Sequence, residues 1–278
     1  MNVSAVIPCY NSGDTIERAV KSCLSQTYTI DEVIVVNDGS VDSSKKVIEE
    51  LSKIDARVKV IHQENQGVCI ARNNGIAEAT CEFILTLDAD DFYESNYVEE
   101  TIRLFEENPN YGAVMTGYRI IENGVKSKAY YFKPVTLATC LYNNGMHACA
   151  LFRKKAMIDA GLYDPAMLYA HEDWDLNIRI LKLGYEFGIV DKPLFNYTQS
   201  INSRSSVTKQ QDMEMRMYML DKYKADFTEH LEKVYASMTV ELLQLRKENN
   251  RILNSTSFKW SHKLIQLWRR VTSFKTRS

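Results

Sequence analysis

Four short, nearly continuous apolar runs occupy residues 3–7, 33–36, 58–61 and 83–87. They are rich in β-branched side chains and lack the polar alternation of a half-exposed strand, which predicts strands covered on both faces. Between them, residues 15–25, 43–53 and 67–78 carry apolar positions at helical spacing, with Asp42 or Ser43 as a cap for the second. Strand alternating with helix predicts an α/β fold built on a parallel, doubly wound sheet. Beyond Tyr111 the pattern becomes mixed, with strands expected over 113–121 and 130–132 and a helix over 173–183. From Lys209 onward glycine and proline are absent, and Phe227, Leu231, Val234, Met238, Leu242, Leu245 and Ile252 recur at helical spacing, which predicts long helices. No internal repeat is visible. The expected division is a sheet domain over 1–208, a helical extension over 209–250 and a tail over 251–278.

Charge adds something the apolar pattern does not show. The net charge of −2 is the difference between a body of −9 over the first 250 residues and a tail of +7, with seven Lys and Arg and no acidic residue from Arg251 to Ser278. Wound as a helix, that tail places Trp260, Leu264, Leu267, Trp268, Val271 and Phe274 on one face, the composition of a segment lying on an anionic membrane surface. Packing on the body or on a second subunit is the competing expectation, and the heptad-like run before it suits a homodimer. Nucleic acid is disfavoured as a partner, because the acidic body repels phosphate and no aromatic platform accompanies the basic residues. No stretch of 18 apolar residues occurs, and the N-terminal residues read as a strand rather than a secretion signal. The six cysteines show no paired spacing, which fits a reducing, cytoplasmic setting, with the tail at the inner face of the membrane.

In an open parallel sheet, ligands bind beyond the carboxyl ends of the strands. Those positions are polar here. Pro8, Cys9, Tyr10 and Asn11 follow the first run; Asn37, Asp38, Gly39 and Ser40 follow the second; Asn65, Gln66 and Gly67, with Arg72 a turn further, follow the third. After the fourth run come Asp88, Ala89, Asp90 and Asp91. Like charges at a strand end are costly unless a cation or hydrogen-bond donors offset them, and a hard divalent ion carrying a diphosphate does so. An acidic turn, with Asp91 capping a helix that starts near Phe92, is the simpler alternative.

The segments VIPCYN, VIVVNDGSVDS, ENQGVCIARNNGI, LDADD and HEDWDLNIRI, in this order and spacing, resemble the inverting family 2 glycosyltransferases with a GT-A fold. The resemblance covers roughly residues 1–205 and implies a mostly parallel, Rossmann-like sheet flanked by helices. It implies that Asp38 accepts the N3–H of uracil, that Pro8, Tyr10 and Asn11 wall the base and ribose, and that Gly67 lets backbone approach the donor. Arg72 would be a cation near the diphosphate. Asp88 would lie by the ribose, and Asp90, with Asp88, would hold Mg²⁺ or Mn²⁺. Asp173, paired with Glu172, would take the proton of the acceptor hydroxyl, a contribution of about 10²–10⁴-fold. Trp174 reads either as a platform for the acceptor sugar or as a core or rim tryptophan. His171 and His147 are loop histidines without an evident partner. Two features depart from the pattern: Asn37 stands where many relatives have Asp, and residues 197–204 lack a histidine that some relatives use as a metal ligand.

The function implied is transfer of a sugar from a nucleotide-diphosphate donor, UDP-linked, to a hydroxyl on a growing or lipid-linked glycan. A sugar nucleotidyltransferase is the enzymatic alternative, and it leaves the Glu172–Asp173 pair without a task. A non-catalytic nucleotide-sugar-binding scaffold is the other, and it has no need for carboxylates at both Asp90 and Asp173.

Overall fold

The computed structural model describes residues 1–199, 209–256 and 260. The chain begins with β1 (Val3–Cys9), α1 (Ile16–Leu24), β2 (Glu32–Asp38), α2 (Ser44–Ile54), β3 (Val58–Gln63), α3 (Val68–Glu78) and β4 (Phe83–Thr86), the alternation that the four apolar runs predict. These strands pair in parallel, in the spatial order β3, β2, β1, β4. Every residue of β1, β2 and β4 is buried, which is why their sequences show no polar alternation.

Two polar residues inside that core are paired with each other. Ser4 donates its hydroxyl to Glu32 Oε1 at 2.6 Å, and the same carboxylate accepts the Thr80 backbone N–H and pairs with Lys59. Gly75 lets α3 lie directly on the sheet, since a Cβ there would stand 2.5 Å from Val6 Cγ1.

The second half turns the sheet mixed. Next come β5 (Phe92–Tyr93), α4 (Tyr97–Glu107), β6 (Tyr111–Glu122), β7 (Val125–Lys126), α5 (Leu137–Cys140), β8 (Leu151–Arg153), α6 (Lys154–Asp159), α7 (Glu172–Lys182) and β9 (Glu186–Gln199). Beside β4 the sheet continues with β8, β6, β9 and β5; β8 is antiparallel to β4 and β6, while β6 and β9 run parallel. The result is a curled, mostly parallel sheet flanked by helices, the GT-A arrangement that the resemblance implies.

Three local expectations are corrected. The helix after the acidic cluster begins at Tyr97 rather than near Phe92, because Phe92 and Tyr93 are drawn into a short strand against Phe195 and Asn196. Residues 130–132 form no strand, only one bridge between Tyr130 and Tyr118. The 14-residue β9 has no counterpart among the elements that the apolar pattern predicts.

The compact unit that contains the sheet runs from Met1 to Phe227 and includes α8 (Lys209–Lys222). Asp175, fully buried on α7, accepts from Arg179 Nη2 at 2.7 Å, and from Lys222 Nζ and the Tyr223 hydroxyl at 2.6 Å each. The short α9 (Lys224–Glu229) spans the end of this unit. The second unit, Thr228–Ser278, is represented chiefly by α10 (Leu231–Asn254). Most of the basic tail lies outside the described residues. Among the described residues, no helix is long and apolar enough to cross a membrane.

Candidate active site

Because β2, β1 and β4 are neighbours, the residues after them emerge side by side within about 10 Å. Pro8 is buried near the end of β1, and after the strand come Tyr10, which is half-exposed, and Asn11, in the left-handed region at φ 49. Asn11 is held there by the next turn: its Oδ1 accepts Val41 N–H at 2.9 Å and its own N–H donates to Ser40 Oγ at 3.1 Å.

Asp38, at the end of β2, is buried and serves the chain itself. Its Oδ1 accepts from Gln63 Nε2 and the Gln66 backbone N–H, both at 2.8 Å, and its Oδ2 accepts from the Gly67 N–H at 2.9 Å. A carboxylate offers about four acceptor positions, so one remains after these three bonds. Gly67, at φ 89, is the turn residue that starts α3. Asp38 thereby fixes the loop that aims α3, and with it Arg72.

Arg72 is 1% exposed, so it is not a surface ion-pair residue. Its Nη2 donates to Asp88 Oδ1 at 2.7 Å and its Nη1 to Glu172 Oε1 at 2.6 Å, with the guanidinium 5.1 Å from the centroid of the buried Tyr163 ring. One fork therefore joins the acidic cluster after β4 to the acidic pair that opens α7.

Beside Glu172 stands Asp173. Burial, reinforced by the Glu172 charge, pushes its carboxyl up to about 7, against the opposing pull of Arg72 and of an amide hydrogen bond. That bond comes from Asn144 Nδ2 at 2.9 Å; Asn144 Oδ1 accepts in turn from Met146 N–H and Asn177 Nδ2. Nothing in the sequence marks Asn144, which lies in a loop between α5 and β8 that has no periodic signature.

The acidic cluster divides its labour. Asp90 is partly buried, and its carbonyl accepts from Arg18, whose guanidinium also reaches Thr198 Oγ1 and stacks over Phe92. Asp91 caps no helix. It is buried, accepts Thr198 N–H at 2.7 Å, and has its carboxyl pushed well above the usual range by burial and then by the charges of Asp90 and Asp88.

Ligating atoms of Asp88, Asp91 and Cys149 lie within 4.8 Å of one another. Asp91, buried beside the charges of Asp90 and Asp88, is the carboxylate whose ionisation a divalent cation favours, and oxygen ligands suit Mg²⁺ or Mn²⁺. The Cys149 thiol, held neutral by burial, is a poor ligand for either. The donor set thus fits a hard cation through Asp88 and Asp91, with Asp90 adjacent.

Trp174 is 4% exposed, with its indole N–H donating to Cys140 O and its ring packed by His171 and Arg216, so it offers no face to a sugar. Both histidines have partners. His171 Nε2 lies 2.8 Å from Asp212 Oδ1 on α8. His147 is enclosed by Phe195, Phe132 and Tyr118, and burial pushes its imidazole down to about 4, so it stays neutral.

The family model described as Glycosyl transferase family 2 matches residues 4–160. EpsH of Bacillus subtilis (strain 168) is 46% identical over 101 residues, 36% of this chain and 29% of that protein. The poly-beta-1,6-N-acetyl-D-glucosamine synthase of Staphylococcus aureus (strain MSSA476) is 30% identical over 198 residues, 66% of this chain and 48% of that one. The chain therefore spans about half or less of the length of these relatives. Among solved structures, S. aureus TarS residues 1–349 in complex with UDP-GlcNAc superposes with a TM-score of 0.64 at 22% identity, covering 75% of this chain and 62% of that one, a likeness of fold.

Proposed function

Because the chain belongs to glycosyl transferase family 2, we propose that it transfers a sugar from a UDP-linked donor to a hydroxyl of a glycan, with inversion and with a divalent cation. The observation that carries the reading is the Arg72 fork, which ties Asp88 to Glu172 and so fixes the cation-binding carboxylates relative to the base, Asp173. A solved neighbour in complex with UDP-GlcNAc and another with UDP support a nucleotide-sugar donor. A relative named for glucosamine-polymer synthesis supports a glycan product.

Asp173 takes the acceptor hydroxyl's proton as the oxygen attacks the anomeric carbon. A carboxyl raised to about 7 is poised for that transfer near neutral pH. One base and one direct displacement invert the configuration. Asn144 keeps the reacting carboxylate aimed, and Glu172 is held by Arg72 instead of competing for the proton. Asp88 and Asp91, with Asp90 adjacent, would hold Mg²⁺ or Mn²⁺, which when bound neutralises charge on the departing diphosphate. The remaining acceptor position of Asp38 suits the N3–H of uracil, with Tyr10 and Asn11 beside the base.

The test is incubation with a panel of nucleotide sugars and glycan acceptors, following UDP and product anomer by NMR. Release of UDP with an inverted linkage, lost in Asp173→Asn, is expected. Accumulation of pyrophosphate instead would assign a nucleotidyltransferase. Donor binding with no transfer to any acceptor would favour the scaffold. Attachment to an anionic membrane through residues 251–278 is a separate proposal, tested by liposome flotation with and without that segment; equal recovery with lipid would end it.

A further inference from the structure

Among the described residues, helix α10 carries a seam of exposed apolar side chains. Leu231, Tyr235, Met238, Leu242, Leu245, Asn249 and Ile252 succeed one another at alternating intervals of four and three, the a/d spacing of a coiled coil sustained over the whole 24-residue helix. The six apolar members are each between 49% and 71% exposed. A surface helix of a monomer turns such a stripe inward. Here the seam faces water.

We propose that this seam pairs with a second copy of the same chain as a parallel, in-register, two-stranded coiled coil. Three features of the helix select that occupant. With Tyr235, Leu242 and Asn249 at a, and Leu231, Met238, Leu245 and Ile252 at d, the one polar seam residue is an asparagine at an a position. An asparagine there meets its own counterpart in a parallel pair, where each amide both donates and accepts, and it disfavours higher or shifted assemblies that would bury it unpaired. Glu241 at g then faces Arg246 at e of the partner helix, so the flanks attract across the seam in both directions. Leu253 at e, 42% exposed, widens the apolar strip at its far end. An anionic membrane is a weaker match for this helix, because Glu232, Glu241 and Glu248 offset all but one of the charges of Lys233, Arg246, Lys247 and Arg251.

The experiment is sedimentation of the full chain over a wide concentration range, with three sets of variants. A dimer is expected for the wild type, and a monomer for Leu242→Asp/Leu245→Asp, which alters only exposed positions. Glu241→Arg weakens the dimer and Glu241→Arg/Arg246→Glu restores it, a rescue that a loss of folding would not show. Leu242→Cys should cross-link to itself under oxidation, whereas Lys247→Cys, on the outer face, should not. A wild type that stays monomeric overturns the proposal, including one that instead floats with anionic vesicles. A trimer, or a dimer unaffected by the seam aspartates, overturns it as well.

Discussion

Arg72 and Glu172, 100 positions apart in the chain, meet at 2.6 Å through a guanidinium that is 1% exposed and whose other arm holds Asp88. Few single contacts link so much of the proposed chemistry. The arginine comes from α3, one carboxylate from the end of β4 and the other from the first turn of α7.

Replacing Arg72 with Met should therefore cost both stability and activity. Two largely buried carboxylates would lose their common counter-charge, a loss of about 3–5 kcal/mol for a broken buried pair. Arg72→Lys should retain part of the stability, because an ammonium can face one carboxylate but cannot fork between two. Thermal melts and UDP-release rates of the three proteins check this; an unchanged Tm in Arg72→Met would contradict the bridge.

Asp173→Asn should reduce turnover by at least about 10²-fold while leaving donor binding intact. Its effect on stability has the opposite sign. A carboxyl raised to about 7 in the folded chain favours the native state only while protonated, so its contribution is complete at acid pH and lost as pH rises through about 7. Wild-type stability should fall relative to Asp173→Asn between about pH 4 and about pH 7 and level off above that. Melting both proteins across that range reads the difference directly.

Asn144→Ala takes away the amide that pulls the Asp173 carboxyl down. The rising limb of the kcat–pH profile should move to higher pH, with a smaller change in donor KM. An unmoved limb would show that Asn144 serves packing alone.

Saturating Mn²⁺ or Mg²⁺ should raise Tm, by the equivalent of about 2.7 kcal/mol at a hundredfold excess over Kd, and a chelator should reverse it. Asp91→Asn should abolish the shift while keeping the fold, since its carboxyl is under strain from Asp88 and Asp90 when no cation offsets them. Retention of the shift in Asp91→Asn together with its loss in Asp90→Ala would move the ligand to Asp90.

Much of this site was legible because period and position carry physical meaning. The buried strands β1, β2 and β4 had to be continuous apolar runs, and a parallel sheet had to deliver the residues after those strands to one edge, so Asp38, Arg72 and Asp88 could be picked out together, whereas the α7 acids were marked only by the resemblance to the family. The features that stay hidden depend on contacts distant in sequence. Asp91 looks like a helix cap because local chemistry allows it, yet a partner 107 residues away, Thr198, claims its oxygen, and Phe92 is drawn into a strand. Asn144 sits in a stretch without periodicity, and only the fold brings it to Asp173. Trp174 reads as a sugar platform from its neighbours in sequence, but a buried carbonyl takes its N–H and closes it in.

The carboxylate of Asp175 has a practical consequence for anyone cutting this protein. Two of its four partners' atoms, Lys222 Nζ and the Tyr223 hydroxyl, arrive from the end of α8, and both sit on the oxygen that Arg179 does not reach. A fragment stopped at residue 208 would leave that oxygen unmatched in the interior, on the very helix that presents Asp173. The shortest piece expected to express as a stable monomeric enzyme therefore ends near Phe227, beyond the last residue that resembles the family.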